Sequence, residues 1–196
     1  MRLTFDNING GSEVFLDVIN AIVGPERKSM IDIGCNHAPF TCQLGFEERS
    51  YIDILPRELD NKNEQKYFRQ MNALDIPLYE DYDVSFSNDV IEHLYFVDGL
   101  AMLKLMAKIS KKQVLFTPLD EWMMTDELDK NPESHRSLFT PDILDRITPN
   151  HFAYVIFPHY HPTLNIGAFY FWYCADIEED FERVKKEINQ KAWAKH

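Results

Sequence analysis

The strongest constraint on this chain is an alternation of short apolar runs with segments of helical period. Ser29–Ile33, Ser50–Leu55, Tyr67–Met71, Asp83–Ser87 and Gln113–Thr117 each have strand length, the third being the weakest. The first is nearly continuous in apolar side chains, as a strand buried on both faces requires. Ahead of it, Phe15, Val18, Ile19 and Ile22 recur at helical spacing, and Gly24-Pro25 supplies a stop. Between the fourth and fifth runs, Leu100, Leu103 and Met106 place a helix over Val97–Ile109. Alternation of this kind predicts an α/β fold, a doubly wound and mostly parallel sheet with helices on both faces.

The last third changes character. Asp142–Ile147 reads as a helix opened by Thr140-Pro141. Two aromatic runs follow, Phe152–Phe157 and Ala168–Cys174, close enough in sequence to pair as an antiparallel C-terminal hairpin at one edge. Their alternating positions suit a core better than the wall of a substrate pocket. Ile177, Phe181, Val184 and Ile188 form one stripe on a final helix, with acids at its start and lysines at its end, the sense the helix dipole favours. A single domain is expected over 1–196, with 1–28 as an N-terminal helical cap, 29–175 as the core and 176–196 as the C-terminal helix.

Charge narrows the partners. Twenty basic against 32 acidic residues give a net charge of −12, so binding to long nucleic acids would need a local basic surface. The clusters Lys108/Lys111/Lys112 and Lys185/Lys186 suit solvated helix ends, and nucleic acid is not the expected partner. No apolar run has spanning length and the first residues do not resemble a secretion signal, which predicts no membrane partner. Cys35, Cys42 and Cys174 are odd in number and lack a CxxC pair, which fits a reducing, cytoplasmic setting. His159 and His161 stand two apart, with His151 nearby, but no third ligand is evident and no metal site is expected. Oligomeric state is not legible.

The chemistry-bearing pattern begins where the first strand ends, at Asp32-Ile33-Gly34. Glycine there lets backbone approach a ligand, and Pro39 stands where a helix can begin and offer free N–H groups. The second strand brings Asp53 21 residues after Asp32, the spacing at which doubly wound folds place a ribose-binding carboxylate.

Over about residues 30–175 the chain resembles the class I S-adenosylmethionine-dependent methyltransferases. Asp32-Ile33-Gly34-Cys35-Asn36-His37-Ala38 occupies the frame of that family's D-x-G-x-G-x-G. Met71-Asn72-Ala73-Leu74-Asp75-Ile76-Pro77 stands where members read G-D-A-x-x-L-P. Tyr82–Leu94, YDVSFSNDVIEHL, is nearly the family's F-D-x-x-x-x-x-D-V-I-E-H-L. Thr117-Pro118 follows the fifth strand, and Ser134–Pro141 is similar to H-x-R-x-F-T-P. Two glycines of the loop are replaced, by Asn36 and Ala38. Asparagine tolerates left-handed backbone, and one branch of the family, acting on sugars and natural products, has Asn there with a Thr in the frame of Thr41. The stretch after Asp53 is short, so the second helix is expected to be brief or missing.

The resemblance implies a Rossmann-like methyltransferase fold and S-adenosyl-L-methionine as cofactor. It implies a site built from Asp32, Gly34, Cys35, Asn36, Asp53, Ile54, Asn72, Ala73, Asn88 and Asp89. Asp32 orients the loop or the cofactor's amino end, or is a plain strand-end acid. Asp53 holds the ribose hydroxyls. Asn72 replaces the acid that receives the adenine amino group. Asn88 and Asp89 approach the methionine part, or cap the following helix. His93 is a candidate for proton transfer or a packed wall residue, and His135 a candidate for substrate contact. Asp75 is a fourth acid expected near the cleft. The implied activity is methyl transfer to a small molecule or metabolite. The alternatives are a catalytically inactive methyltransferase-like binding or scaffold protein and, third, an RNA methyltransferase.

Overall fold

The computed structural model describes residues 1–5, 12–119, 134–147, 152–160 and 166–191. Its strands are β1 (Arg2–Thr4), β2 (Ser29–Ile33), β3 (Glu48–Asp53), β4 (Phe68–Gln70), β5 (Tyr82–Asn88), β6 (Ser110–Pro118), β7 (Ala153–Phe157) and β8 (Ala168–Tyr173). They form one sheet in the order β1-β7-β8-β6-β5-β2-β3-β4. The two pairings of β8, with β6 and with β7, are antiparallel; all others are parallel. The helices are α1 (Ser12–Val23), α2 (Phe96–Ile109), α3 (Pro141–Ile147) and α4 (Ile177–Gln190).

Side chains that alternate along a strand feed opposite faces of the sheet. In β8, Tyr170 and Trp172 join the apolar residues of α1 and α4. Phe169 and Phe171 join those of α2 and Leu144 of α3 on the other side. The aromatic runs therefore fill two cores, one per face. Arg183 of α4 donates to the Ala21 and Ile22 carbonyls at the end of α1 (2.6 and 3.2 Å). Gly24, at φ 80°, closes that end, its N–H donating to the Asn20 carbonyl at 3.1 Å.

Three features depart from the expectation. The N-terminal stretch is not wholly helical, because β1 pairs in parallel with β7. The β7–β8 hairpin is consequently flanked on both sides, and β1 holds the edge. Arg2 anchors it through Asp142 and Asp145 of α3, both at 2.9 Å. Between Pro39 and β3 there is no α-helix, only a 3-10 turn at Thr41–Gln43. Ala38 at φ 52° and Gly45 at φ 70° bracket that turn, and left-handed residues interrupt a right-handed helix. The crossover from β3 to β4 carries a 3-10 segment, Lys62–Tyr67, in keeping with its shortness.

The chain runs from β2 outward through β3 and β4, then returns to the opposite side of β2 as β5. That reversal opens a crevice at the carboxyl ends of β2 and β5, where ligands bind in sheets of this type.

Candidate functional site

The crevice holds a cavity of about 470 Å³, within the range of cofactor and ligand sites. All ten residues expected to hold a cofactor line it. They come from the ends of β2, β3, β4 and β5, four places separated in sequence and gathered by the switch in strand order.

After β2, the N–H groups of Gly34 and Cys35 both donate to the Ile52 carbonyl (2.8 and 2.9 Å), turning the chain over the end of β3. Gly34 is at φ 71°, and a Cβ there would lie 2.4 Å from Val90. Asn36 and Ala38 take φ 47° and 52°, so both residues that replace glycines keep a left-handed backbone. Buried Cys35 makes a weak contact to the Asn36 carbonyl at 3.6 Å. Burial pushes its thiol well up, and the charges of Asp32 and Asp53 push the same way, so it presents no nucleophile.

Asp32 is buried, and the Thr41 hydroxyl donates to its Oδ2. Burial raises its pKa to about 6; the Thr41 bond offsets part of that, and Asp53 adds to it. Asp53 is held by two backbone N–H donors and one ion pair. Its Oδ2 accepts from the Asn36 N–H at 3.0 Å and lies 3.4 Å from Arg57 Nε, while Oδ1 accepts from the Leu55 N–H at 2.9 Å. A carboxylate offers about four acceptor positions, so the two N–H bonds leave room for ligand hydroxyls.

Ile54, Leu55, Met71 and Ala73 give the wall beyond Asp53 an apolar surface. Asn72 accepts from the Leu74 N–H at 2.9 Å, capping the 3-10 turn Ala73–Asp75. Its amide oxygen is thereby half committed. Asp75 is exposed on that turn and does not line the cavity. The sequence expectation placed it too near.

At the end of β5, Asn88 Oδ1 is buried without a hydrogen-bond partner among the described residues. An orphaned acceptor in a cavity wall calls for a ligand donor. Asp89, at φ 51°, donates its N–H to the Phe116 carbonyl at 3.0 Å and opens onto the cavity. Desolvation pushes its carboxyl above the usual carboxylate range, although bonding with Glu92 pulls the other way. Glu92, fully buried, is held well above the carboxylate range, first by burial and then by the charge of Asp89.

His93 lines the cavity, whereas His135 stands behind it, buried, the two rings 4.8 Å apart and edge to face. His135 is not among the residues that line the cavity. His159 is exposed on the turn after β7; His151 and His161 lie outside the described residues.

The lining also includes residues that sequence reasoning did not select: Arg57, Met71, Val90, Leu94 and Arg136. Arg136 donates to the His93 carbonyl at 2.8 Å and reaches over the Tyr95 ring. Its signal was present in the Ser134–Pro141 motif. Arg57 had none beyond standing four residues after Asp53.

No protein-family model and no curated protein sequence matches the chain. Solved structures do. The N-methyltransferase NodS from Bradyrhizobium japonicum WM9, in complex with S-adenosyl-L-homocysteine, matches with a TM-score of 0.58 and 13% identity, over 82% of this chain and 85% of that one. The N-terminal domain of EvdMO1, solved in the presence of SAH and D-fucose, gives 0.59 and 11%, over 84% and 83%. The small RNA methyltransferase HEN1 gives 0.55 and 15%, over 82% of this chain but 24% of that one. At such identities the likeness establishes the fold, and this chain has the Rossmann-like methyltransferase fold.

Proposed function

We propose that this chain binds S-adenosyl-L-methionine in the β2/β5 crevice and transfers its methyl group to a small-molecule acceptor. The observation that carries the reading is the convergence of Asp32, Asp53, Asn88 and Asp89 on one cavity, with Asn88 Oδ1 left without a donor.

The residues fit the cofactor's parts in turn. Three carboxyl groups and an orphaned amide oxygen suit a ligand carrying an ammonium and a sulfonium. The open acceptor position of Asp53 suits a ribose hydroxyl. The apolar wall of Ile54, Leu55, Met71 and Ala73 suits a planar base. The backbone path of the loop, left-handed at Asn36 and Ala38, keeps side-chain bulk at a minimum where a ligand approaches.

When bound, the cofactor supplies a methyl carbon activated by a positive sulfur. The chain's own task is alignment, since such a transfer depends chiefly on holding nucleophile, carbon and sulfur in line. Asp53 and Asn88 fix the two ends of the ligand through hydrogen bonds. Val90 and Leu94 give the wall between them apolar surface that excludes water. Asp32, packed beneath the loop, holds Thr41 and stiffens the turn. A metabolite-sized acceptor suits the chain's net charge of −12 better than a long polyanion does.

Calorimetric titration with S-adenosylmethionine and with S-adenosylhomocysteine tests the reading. Micromolar binding is expected, weakened about tenfold or more in Asp53→Asn, a loss of about 1.4 kcal/mol. Absence of binding to both ligands would overturn it and favour a binding or scaffold role for the fold.

A further inference from the structure

A cluster of aromatic rings adjoins the cavity on the side that the cofactor reading leaves for an acceptor. With the cofactor lying as proposed above, its span runs from Asp53 at the end of β3, across β2, to Asn88 and Asp89 at the end of β5. The next strands beyond β5 are β6, β8 and β7, and their aromatic residues flank that end. Phe116 of β6 is one step from the cavity, because its carbonyl accepts the Asp89 N–H at 3.0 Å. Phe40, in the loop after β2, lines the cavity itself.

Phe15 of α1 is the centre of the cluster. Its ring lies 6.3 Å from that of Phe40, 5.8 Å from Phe116 and 5.4 Å from Tyr160, the last two edge to face. Tyr160 stands beyond the core run Phe152–Phe157 and meets Phe116 edge to face as well, at 5.3 Å. Tyr170 backs the group, 4.7 Å from Phe116. Phe116 and Tyr170 are buried, whereas Phe15, Phe40 and Tyr160 are only half-buried. Three distant stretches of chain thus bring partly open rings together at the cavity's edge. Burial, and after it the charge of Asp89, raises the phenols of Tyr160 and Tyr170, so the cluster lies in the field of that carboxylate.

Aromatic faces are electron-rich, and a neighbouring carboxylate adds potential of the same sign. Such a surface favours a cation or an N–H donor over an anion. We infer that the methyl acceptor is an amine seated on the half-buried rings of Phe15, Phe40 and Tyr160, with Tyr160 as the residue that selects it. The apolar body of the amine packs on the rings, and the Tyr160 oxygen accepts an N–H. Asp89 keeps its place beside the cofactor and acts on the acceptor through its charge alone. The chemistry closes without a protein base. An amine arriving as ammonium gives one proton to water, and its lone pair then forms the C–N bond. The methyl–sulfur bond breaks with its electron pair left on sulfur, so neutral S-adenosylhomocysteine results and the methylated ammonium carries the positive charge.

The test uses the full chain saturated with S-adenosylhomocysteine, whose own affinity is read first by calorimetry. Phenethylamine, 2-phenylethanol and phenylacetate, a cation, a neutral molecule and an anion of similar size, are then titrated by saturation-transfer NMR. Phenethylamine should bind about tenfold tighter than either of the others, the scale of a partly desolvated contact between a cation and aromatic faces. Tyr160→Leu should cut that preference to about threefold or less, and Tyr160→Phe, which keeps the ring, should lower it by a smaller factor. Neither variant should alter S-adenosylhomocysteine affinity, which separates acceptor selection from a general loss of structure. If Tyr160→Leu fails to fold, the parent's preference and Tyr160→Phe decide. Absence of S-adenosylhomocysteine binding would overturn the cofactor reading and the acceptor assignment with it. Cofactor binding without an amine preference, or a preference that folded Tyr160→Leu retains in full, would overturn the amine inference alone.

Discussion

Arg57 Nε lies 3.4 Å from Asp53 Oδ2, the same oxygen that accepts the Asn36 N–H at 3.0 Å. The acid proposed to hold a ribose is thus already paired with a cation four residues on. Both hydroxyls of a ribose need two acceptor positions, and the Arg57 guanidinium crowds one of the two that the N–H groups leave. Engaging the pair therefore requires Arg57 to step aside.

Arg57→Met is expected to strengthen S-adenosylhomocysteine binding several-fold, because breaking a partly exposed ion pair costs about 0.2–1 kcal/mol. Titrations at low and high salt check this: the parent should gain affinity with salt as the pair is screened, and the variant should not. Weaker binding by the variant would mean that Arg57 touches the ligand itself.

Asp32 gives a pH prediction. Its carboxyl is raised to about 6 in the folded chain. For a raised acid, the unfolded chain ionises first as pH increases. Stability from this group is full below its unfolded pKa, near 4, and is lost up to about pH 6. The loss is on the order of 3 kcal/mol at 1.36 kcal/mol per unit. Asp32→Asn should remove that segment of the pH dependence while its amide oxygen still accepts from Thr41. Denaturant titrations of both proteins between pH 4 and 7 give the difference curve. A flat difference would show that Asp32 is ionised at little cost.

Gly34 is required twice, by φ 71° and by Val90 Cγ2, which a Cβ would meet at 2.4 Å. Gly34→Ala should cost about 3 kcal/mol, roughly 1–2 from left-handed backbone and 1–3 from overpacking. Adding Val90→Ala should restore only the packing share. Thermal unfolding of the two variants separates the contributions, and full recovery in the double variant would refute the backbone share.

The sheet was legible because buried parallel strands announce themselves as apolar runs, as at Ser29–Ile33. The cavity residues were legible because the motifs that resemble the methyltransferase family fall at strand ends, which a doubly wound sheet brings together. What escaped has physical reasons. Arg2–Thr4 is too short to show a period, and its partner strand Ala153–Phe157 lies about 150 residues away in sequence. The missing helix after Pro39 depends on the left-handed turns at Ala38 and Gly45, and an alanine gives no warning of that. The position of His135 behind His93 depends on backbone bonds from Arg136 and Ser137 to Glu92, which no spacing encodes.

Asp180 supplies the last prediction. Lys112 Nζ donates to both of its oxygens at 2.9 and 3.0 Å, Trp172 Nε1 at 2.9 Å and Arg183 at 2.7 Å. Burial alone would raise its pKa, but Lys112 and Arg183 hold it below the ordinary value. The same arginine closes the end of α1, so one carboxylate links α4, β6, β8 and α1. Asp180→Ala leaves the Lys112 ammonium, 13% exposed, without its counter-charge. The cost expected for breaking a buried pair is about 3 kcal/mol. At roughly 2–4 °C per kcal/mol for a chain of this size, the midpoint should fall by about 6–12 °C. Because a depressed acid contributes stability above its unfolded pKa and loses it as pH falls through the folded one, the gap between parent and variant should narrow below about pH 4. A gap that persists into acid would assign the loss to packing around Trp172 instead of to charge.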